Sequence, residues 1–99
     1  MELLTKDLEQ RFARVKPDQN NPIVIAKFFN PQGAGTWWAT EYDPEDRVFF
    51  GYASVLPGCD EWGYFLLDEL QEYRGRFGLG IERDISWTEA PASAVLPSR

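Results

Sequence analysis

The sequence contains no histidine, a single cysteine and no long apolar run. Without histidine, the chain cannot form a Ser-His-Asp or Cys-His catalytic centre or bind zinc through imidazole. The one thiol, Cys59, excludes an internal disulfide and is typical of a reduced cytosolic protein. The apolar stretches are far shorter than the roughly 20 residues that cross a bilayer, and the N-terminus has no basic segment followed by an apolar one. We therefore predict a cytoplasmic protein with no membrane partner.

Basic residues are nearly missing from the middle of the chain. Residues 41–72 carry nine carboxylates and one guanidinium, a formal charge of −8, whereas the whole chain carries −6. The segments before and after are each +1. The nine acids are Glu41, Asp43, Glu45, Asp46, Asp60, Glu61, Asp68, Glu69 and Glu72. Because phosphates would be repelled, nucleic-acid binding through this segment is not favoured.

Aromatic residues are abundant, at 15% of the 99 residues. Each ring buries a large area, so even a short chain can build one core. The stretch TWWATEYDPEDRVFFGY, residues 36–52, holds six rings and four carboxylates. We predict a single domain over residues 1–90, followed by a poorly ordered tail over residues 91–99.

Two helices are indicated. Thr5 is placed to cap the first, and Leu4, Leu8 and Phe12 form an apolar stripe at four-residue spacing. This helix should end near Val15, ahead of a proline. A second, short helix has Asp68 near its start and Gly75 at its end. Its predicted buried face consists of Leu66, Leu67, Leu70 and Tyr73.

Strands are predicted over residues 23–30, 36–43, 47–56, 62–67 and 82–87, because these segments are rich in β-branched and aromatic residues. Asp43–Asp46 has the sequence of a type I turn, with proline at its second position. The connections are short, so successive strands should pair as an antiparallel meander. The fold prediction is α+β: a four- to five-stranded antiparallel meander sheet, an N-terminal helix and one short helix after strand four.

The second strand carries large rings on both of its sides. Simple alternation places Trp37 and Ala39 on one face, and Trp38, Thr40 and Tyr42 on the other. Either the helices and the tail cover both faces, or one face shows rings to solvent and marks an interaction surface. The residues predicted to be most buried are Phe28, Trp38 and Leu70.

The acidic and basic stretches lack the spacing of known chemical sites. The turn at residues 41–46 misses the ligand pattern and glycine of a calcium loop. No two of the acids at positions 60, 61, 68 and 69 are singled out as a hydrolytic pair. The stretch RGRFGLGIERD, residues 74–84, lacks the Lys-Ser/Thr of a phosphate-binding loop. We therefore predict no catalytic residue, no metal and no cofactor, with Asp43, Glu45, Asp46, Asp60 and Glu61 exposed at strand ends.

Six ordered blocks cover nearly the whole chain: LLTK, PIVIAKFF, WWATEYD, FFG, EWGYFLLDEL and RGRFGLGIERD. Over residues 3–88 they resemble the family known as Domain of unknown function 2958. The resemblance implies a bacterial protein of plasmids, phages and integrated elements, found near antirestriction or conjugation genes. It brings no established catalytic residues.

The leading hypothesis is a small non-enzymatic interaction protein of a bacterial mobile element, which binds a protein partner through an acidic and aromatic surface. One form of it is phosphate mimicry, in which acids occupy a basic DNA-binding groove, as in some antirestriction proteins. The first alternative is a single-stranded nucleic-acid binder that uses the rings with Arg74, Arg76 and Arg83. The second is a metal-dependent enzyme that uses the acidic cluster. The predicted partner-binding residues are Trp37, Glu41, Asp43, Asp68, Glu69, Glu72, Arg74 and Arg76.

Overall fold

The computed structural model describes residues 1–96. Its elements, in chain order, are α1 (Lys6–Arg14), β1 (Ile23–Val24), β2 (Ala26–Phe29), β3 (Thr36–Asp43), β4 (Val48–Ser54), β5 (Glu61–Leu66), α2 (Leu67–Glu72), β6 (Glu82–Arg83), β7 (Ala90–Pro91) and α3 (Ala92–Val95). Among the described residues, no helix is long and apolar enough to span a membrane.

Helix α1 begins and ends where the sequence predicts. The Thr5 hydroxyl accepts a hydrogen bond from the backbone N–H of Leu8 at 3.2 Å, which satisfies one free N–H group of the first turn. The chain becomes extended at Val15. Phe12 is buried, and Leu4 and Leu8 pack beside it against the sheet. The predicted apolar stripe is confirmed.

Five strands form an antiparallel sheet in the order β5-β4-β3-β2-β6. Strands β2 to β5 pair in sequence order, β2 with β3, β3 with β4 and β4 with β5, because the short connections leave little room for another arrangement. The α+β prediction is confirmed: the meander has an N-terminal helix, and the short helix follows its fourth strand, β5.

The first predicted strand, residues 23–30, is divided between two sheets. Ile23 and Val24 pair with β7 in a small two-stranded sheet, whereas Ala26–Phe29 pair with β3 in the large one. Between them, the N–H of Ile25 donates to the carbonyl of Ala39 at 2.9 Å. The prediction of a single strand over residues 23–30 was therefore wrong, because a segment that is apolar except for Lys27 contains no alternation to mark where the chain changes sheet.

The last predicted strand, residues 82–87, is also shorter than expected. Glu82 and Arg83 form ladder pairs with β2, and the N–H of Asp84 donates one more hydrogen bond to the Lys27 carbonyl at 2.9 Å. The Asp84 carboxylate then accepts a hydrogen bond from the N–H of Ser86 at 3.0 Å, and the N–H of Trp87 donates to the Asp84 carbonyl at 3.1 Å. Aspartate favours such local turns over extended pairing, so the strand ends at residue 83.

A β-bulge at Thr40 changes which side chains share a face of the sheet. The pairing of β3 with β4 shifts between Ala39 and Glu41, and the Thr40 hydroxyl donates to the Phe50 carbonyl at 3.1 Å. The extra residue reverses the alternation beyond it. Tyr42 therefore joins the face of Ala39, and Glu41 joins the opposite face. The sequence assignment of Tyr42 to the face of Trp38 was wrong.

The two faces of the sheet have separate hydrophobic cores. On the face covered by α1 and α2, which we call the helical face, the core contains Phe12, Phe28, Phe49 and Leu70. On the opposite, second face, a smaller core packs Trp38 and Tyr52 against the C-terminal segment; its buried members are Val24, Trp38, Tyr52 and Ala92. The predicted burial of Phe28, Trp38 and Leu70 is confirmed.

Helix α2 is shorter than predicted, which exposes two residues assigned to its buried face. Leu67 and Leu70 are buried, as expected, but Leu66 and Tyr73 are exposed. Leu66 is the last residue of β5 and its side chain belongs to the second face, away from the helix. The backbone is extended again at Tyr73, so the helix ends before Gly75. The assignment of Leu66 and Tyr73 to the core was wrong.

The C-terminal segment has regular structure as far as residue 95. Ala90–Pro91 pairs with β1, and Ala92–Val95 forms α3, with Ala92 buried in the core of the second face. The sequence predicts a poorly ordered tail from residue 91; its last part, residues 97–99, lies outside the described residues. Residues 90–96 therefore cover part of the second face.

Candidate partner-binding groove

The part of the second face that the C-terminal segment leaves uncovered is an open groove of about 950 Å³. We call it the aromatic groove. Three rings line it, and Tyr64 is 77% exposed. Its walls are the loop at residues 18–22 and the C-terminal segment. The full lining is Asp18, Gln19, Asn20, Asn21, Pro22, Thr40, Glu41, Phe50, Trp62, Tyr64, Ala92, Ser93 and Leu96.

The sheet register arranges the second face in two rows of directly opposed residues, and the groove floor consists of the first row and the end of the second. The Glu41 row runs Glu41, Phe50, Tyr64 across β3, β4 and β5. The Trp38 row runs Lys27, Trp38, Tyr52, Trp62 across β2 to β5. Opposed side chains on one face of a sheet lie about 5 Å apart, so each row is a continuous strip. The bulge at Thr40 is what brings a carboxylate into the first row.

Ring contacts hold the two rows together. The Phe50 ring is stacked on Trp62, with centroids 6.0 Å apart and planes 19° apart. It meets Tyr64 edge-on at 5.0 Å. Trp62 in turn meets Tyr52 edge-on at 5.5 Å. Such offset and edge-to-face pairs are the favoured arrangements of aromatic rings, so the floor is ordered while remaining open to solvent on one side.

The two walls of the groove are hydrogen-bonded to each other. The Asn21 side chain donates to the Ser93 hydroxyl at 2.9 Å and accepts from the Ser93 N–H at 3.0 Å. The N–H of Ala92 donates to the Pro22 carbonyl at 2.8 Å. Within the loop, the Asp18 carboxylate accepts from the N–H groups of Asn20 and Asn21. The hydrogen bonds between the two walls connect residues about 70 positions apart, so the groove exists only in the folded chain.

The covered half of the second face contains its own cation. The ammonium group of Lys27 lies 6.0 Å from the ring centre of Trp38 and 5.7 Å from that of Trp87. The indole N–H of Trp87 donates to the Val24 carbonyl at 3.0 Å, which fixes this ring over the sheet. These distances are within the range of attraction between a cation and a π-face.

A family model described as "Protein of unknown function (DUF2958)" matches residues 2–95. The chain belongs to this family. The match includes the loop, the sheet and most of the C-terminal segment that line the aromatic groove. No curated protein and no solved structure matches the chain.

The predicted partner-binding residues lie in several places, and one of them, Glu41, lines the groove. Trp37 is partly buried against the core of the helical face. Asp43 caps its own turn by accepting from the N–H groups of Glu45 and Asp46. Arg74 donates to the carbonyls of residues 71 and 73. The remaining members are exposed on or near α2: Asp68, Glu69, Glu72 and Arg76.

The acids divide between two ends of the sheet. The turns at residues 43–47 and 55–60 lie at opposite ends of β4, as predicted, and Asp43, Glu45, Asp46, Asp60 and Glu61 are all exposed. Helix α2 begins beside the first turn, where the Arg47 guanidinium meets the Asp68 carboxylate at 2.8 Å. In residues 1–96, no group of three or more potential ligands is placed to hold a metal ion.

Tyr42 lies between the helical face and the acidic turn. Its ring packs on Phe49, with centroids 4.8 Å apart. Burial raises the pKa of the Tyr42 phenol above its ordinary value of 10.0; the charges of Glu9, Asp68 and Asp43 act in the same direction, and Arg47 opposes them. The phenol is therefore neutral at physiological pH.

Sequence reasoning did not assign Asp18, Trp62 or Tyr64 to a site. The alternation Trp62-Gly63-Tyr64 does signal two rings on one side of a strand. Asp18 gives no comparable signal, because its place in the groove depends on the contact between the loop and the C-terminal segment. Phe50 is one of the six rings that the sequence places in residues 36–52, and it lines the groove.

Proposed function

We propose that this chain is a non-enzymatic binding protein that holds a protein partner in the aromatic groove. The observation that supports it best is the combination of a highly exposed Tyr64 with Trp62 and Phe50 in one walled groove. Tyrosine and tryptophan are the side chains that most often dominate binding energy at protein interfaces. Contiguous exposed rings of this kind are rare on soluble proteins unless a partner covers them.

The charges around the rings favour a protein partner over a nucleic acid. Asp18 and Glu41 line the groove, and within residues 1–96 no lysine or arginine does. Single-strand binders combine stacking rings with a basic groove, because the backbone of the nucleic acid is negatively charged. Arg74 and Arg76 do not line the groove and Arg83 donates to the Glu2 carbonyl at 2.8 Å. The nucleic-acid alternative therefore receives no support from the groove.

The setting of this function is part of the proposal. A cytoplasmic protein of a bacterial mobile element is what the family resemblance implies, and a host or element protein would then be the partner. We do not carry phosphate mimicry forward, since the acids at residues 43–46 and 60–61 lie at opposite ends of β4. The aromatic groove takes the role that the acidic surface had in the sequence hypothesis.

Affinity capture from a bacterial lysate tests the proposal with a matched pair of variants. Tyr64 and Phe77 are equally exposed, at 77% and 78%, but only Tyr64 lines the groove. We expect Tyr64→Ala to lose a captured protein that the wild type and Phe77→Ala both retain, as quantified by mass spectrometry. Removing a central interface tyrosine should weaken binding by about tenfold or more. Equal capture by all three proteins would contradict the proposal.

A further inference from the structure

We propose that the aromatic groove recognises an arginine side chain on an extended segment of the partner protein. Its guanidinium stacks on the rings of the Glu41 row and pairs with the Glu41 carboxylate. This inference rests on the proposed function and adds the chemistry of the ligand.

The two rows of the second face differ in one respect that points to a missing cation. The Trp38 row ends in Lys27, whose ammonium lies over the Trp38 ring. The Glu41 row has two rings and a carboxylate but no basic residue. A cation supplied by a ligand would lie on the rings of the Glu41 row as Lys27 lies over the Trp38 ring. It would also meet the negative charge of Glu41.

The two carboxylates of the groove, Asp18 and Glu41, differ in the hydrogen bonds that they already accept. Asp18 already accepts two backbone N–H groups at 2.9 and 3.3 Å, which hold its own loop. No described residue forms an ion pair with Glu41 or a hydrogen bond with its carboxylate. Glu41 is directly opposite Phe50 in the sheet. Opposed side chains on one face of a sheet start roughly 5 Å apart, so a planar cation on the rings of the Glu41 row lies on the same strip as this carboxylate.

Arginine fits this arrangement better than lysine. The guanidinium is flat, so it can stack on an aromatic ring while its edge donates two hydrogen bonds to one carboxylate. Lysine offers a compact, strongly hydrated charge that cannot do both at once. Phe50 and Trp62 are stacked on each other with planes 19° apart, so each ring already has one face toward the other. Tyr64 is 77% exposed and therefore offers most of the ring surface on which a guanidinium can lie.

A second copy of the chain is a less suitable occupant. It does have exposed arginine beside an exposed ring, at Arg76 and Phe77. However, each copy carries a net charge of −6 and a middle segment of −8. Like charges of this size oppose association at low ionic strength. A basic segment of another protein meets the groove without this repulsion.

Selection from a random-peptide display library tests the inference independently of any lysate. The probes are short linear peptides, selected on the wild type, on Tyr64→Ala, on Glu41→Gln and on the control Phe77→Ala. We expect peptides rich in arginine to be enriched on the wild type and on Phe77→Ala only. Synthetic copies in which citrulline replaces arginine should bind about tenfold more weakly or worse, since citrulline keeps the shape and loses the charge.

Each other outcome overturns a defined part of the inference. Equal enrichment of lysine would remove the arginine assignment. The inference would be overturned if the peptides that require the groove were neutral or acidic, or if no peptide required the groove. In either case, lysate capture that still requires Tyr64 would leave the proposed function standing. Analytical ultracentrifugation at rising protein concentration tests whether a second copy of the chain occupies the groove. Self-association that Tyr64→Ala abolishes would assign the groove to a second copy and overturn the inference.

Discussion

The two faces of the five-stranded sheet are both rich in rings, but they are covered to different extents. Helices α1 and α2 enclose Phe49 on the helical face, whereas the C-terminal segment covers Trp38 and Tyr52 and leaves Phe50 and Tyr64 beside solvent. Strands β3 to β5 supply rings to both sides, so ring content alone does not decide burial. The burial of a ring depends on whether a helix or the C-terminal segment packs over it. We therefore expect the helical face to contribute most of the stability, whereas the second face keeps an open groove.

The largest expected effect comes from comparing two neighbouring phenylalanines on opposite faces. Phe49 is fully buried, with four rings between 4.8 and 5.7 Å from its own. Phe49→Ala should lower the free energy of unfolding by about 3–5 kcal/mol, because it leaves a cavity among those rings. Phe50→Ala should lower it by less than about 2 kcal/mol, since Phe50 is only partly buried. Urea unfolding followed by tryptophan fluorescence measures both, and equal losses would erase the distinction between the faces.

The next effect concerns two glycines that face each other across β4 and β5, Gly51 and Gly63. A methyl group at Gly51 would collide with the backbone carbonyl of Trp38, beside the bulge, whereas one at Gly63 meets nothing within 4 Å. Gly51→Ala should cost about 1–3 kcal/mol, because backbone atoms must move. Gly63→Ala should change stability by about 0.5 kcal/mol or less. Similar values for the two variants would mean that the bulge tolerates displacement and does not hold Glu41 in its row.

Most of the helical face follows from the sequence, because its signals are local. The Thr5 cap and the spacing of Leu8 and Phe12 fix α1, and short connections fix the meander. The order of the five strands was less accessible. Glu82–Arg83 joins the sheet beside β2, more than fifty residues away in the sequence, and no local pattern encodes that pairing.

The second face was predicted less well, for a physical reason. Its geometry depends on one bulge residue, Thr40, and on the bonds between Asn21 and Ser93. A threonine in a strand favours continued pairing as much as a bulge, so alternation assigned Tyr42 to the wrong face. The loop is polar, and the C-terminal segment is short and rich in alanine, so neither has a pattern that distinguishes it from an unstructured segment. The rings of the groove could therefore be recognised in part from the sequence, but the loop and the C-terminal segment that form its walls could not.

A smaller effect on the free energy of unfolding should appear at high pH, where the Tyr42 phenol on the helical face loses its proton. The pKa of Tyr42 is raised in the folded state, chiefly by burial, above its ordinary value of 10.0. The unfolded chain therefore loses this proton first, so the stabilisation is complete below about pH 10 and is lost as pH rises through the folded-state pKa. Urea unfolding between neutral and alkaline pH should show a steeper loss of stability for the wild type than for Tyr42→Phe. Parallel pH profiles would contradict the assigned burial of the phenol.

The smallest expected effect is that of the acids on α2. The triple variant Asp68→Asn, Glu69→Gln, Glu72→Gln removes three negative charges from exposed positions. Each change should alter the free energy of unfolding by about 0.5 kcal/mol or less. The ion pair of Asp68 with Arg47 adds little, since exposed pairs contribute between about 0 and 1 kcal/mol.

The same triple variant decides between the acidic helix and the aromatic groove as the place of binding. None of its three residues lines the groove, so lysate capture should match the wild type, while Glu41→Gln, which removes one charge inside the groove, should reduce it. A general electrostatic attraction predicts the reverse order, because three charges attract a basic partner more strongly than one. Loss of capture in the triple variant with full capture by Glu41→Gln would therefore move the interaction to α2. Full capture by the triple variant would leave α2 as a solvated surface and the rings of the second face as the binding site.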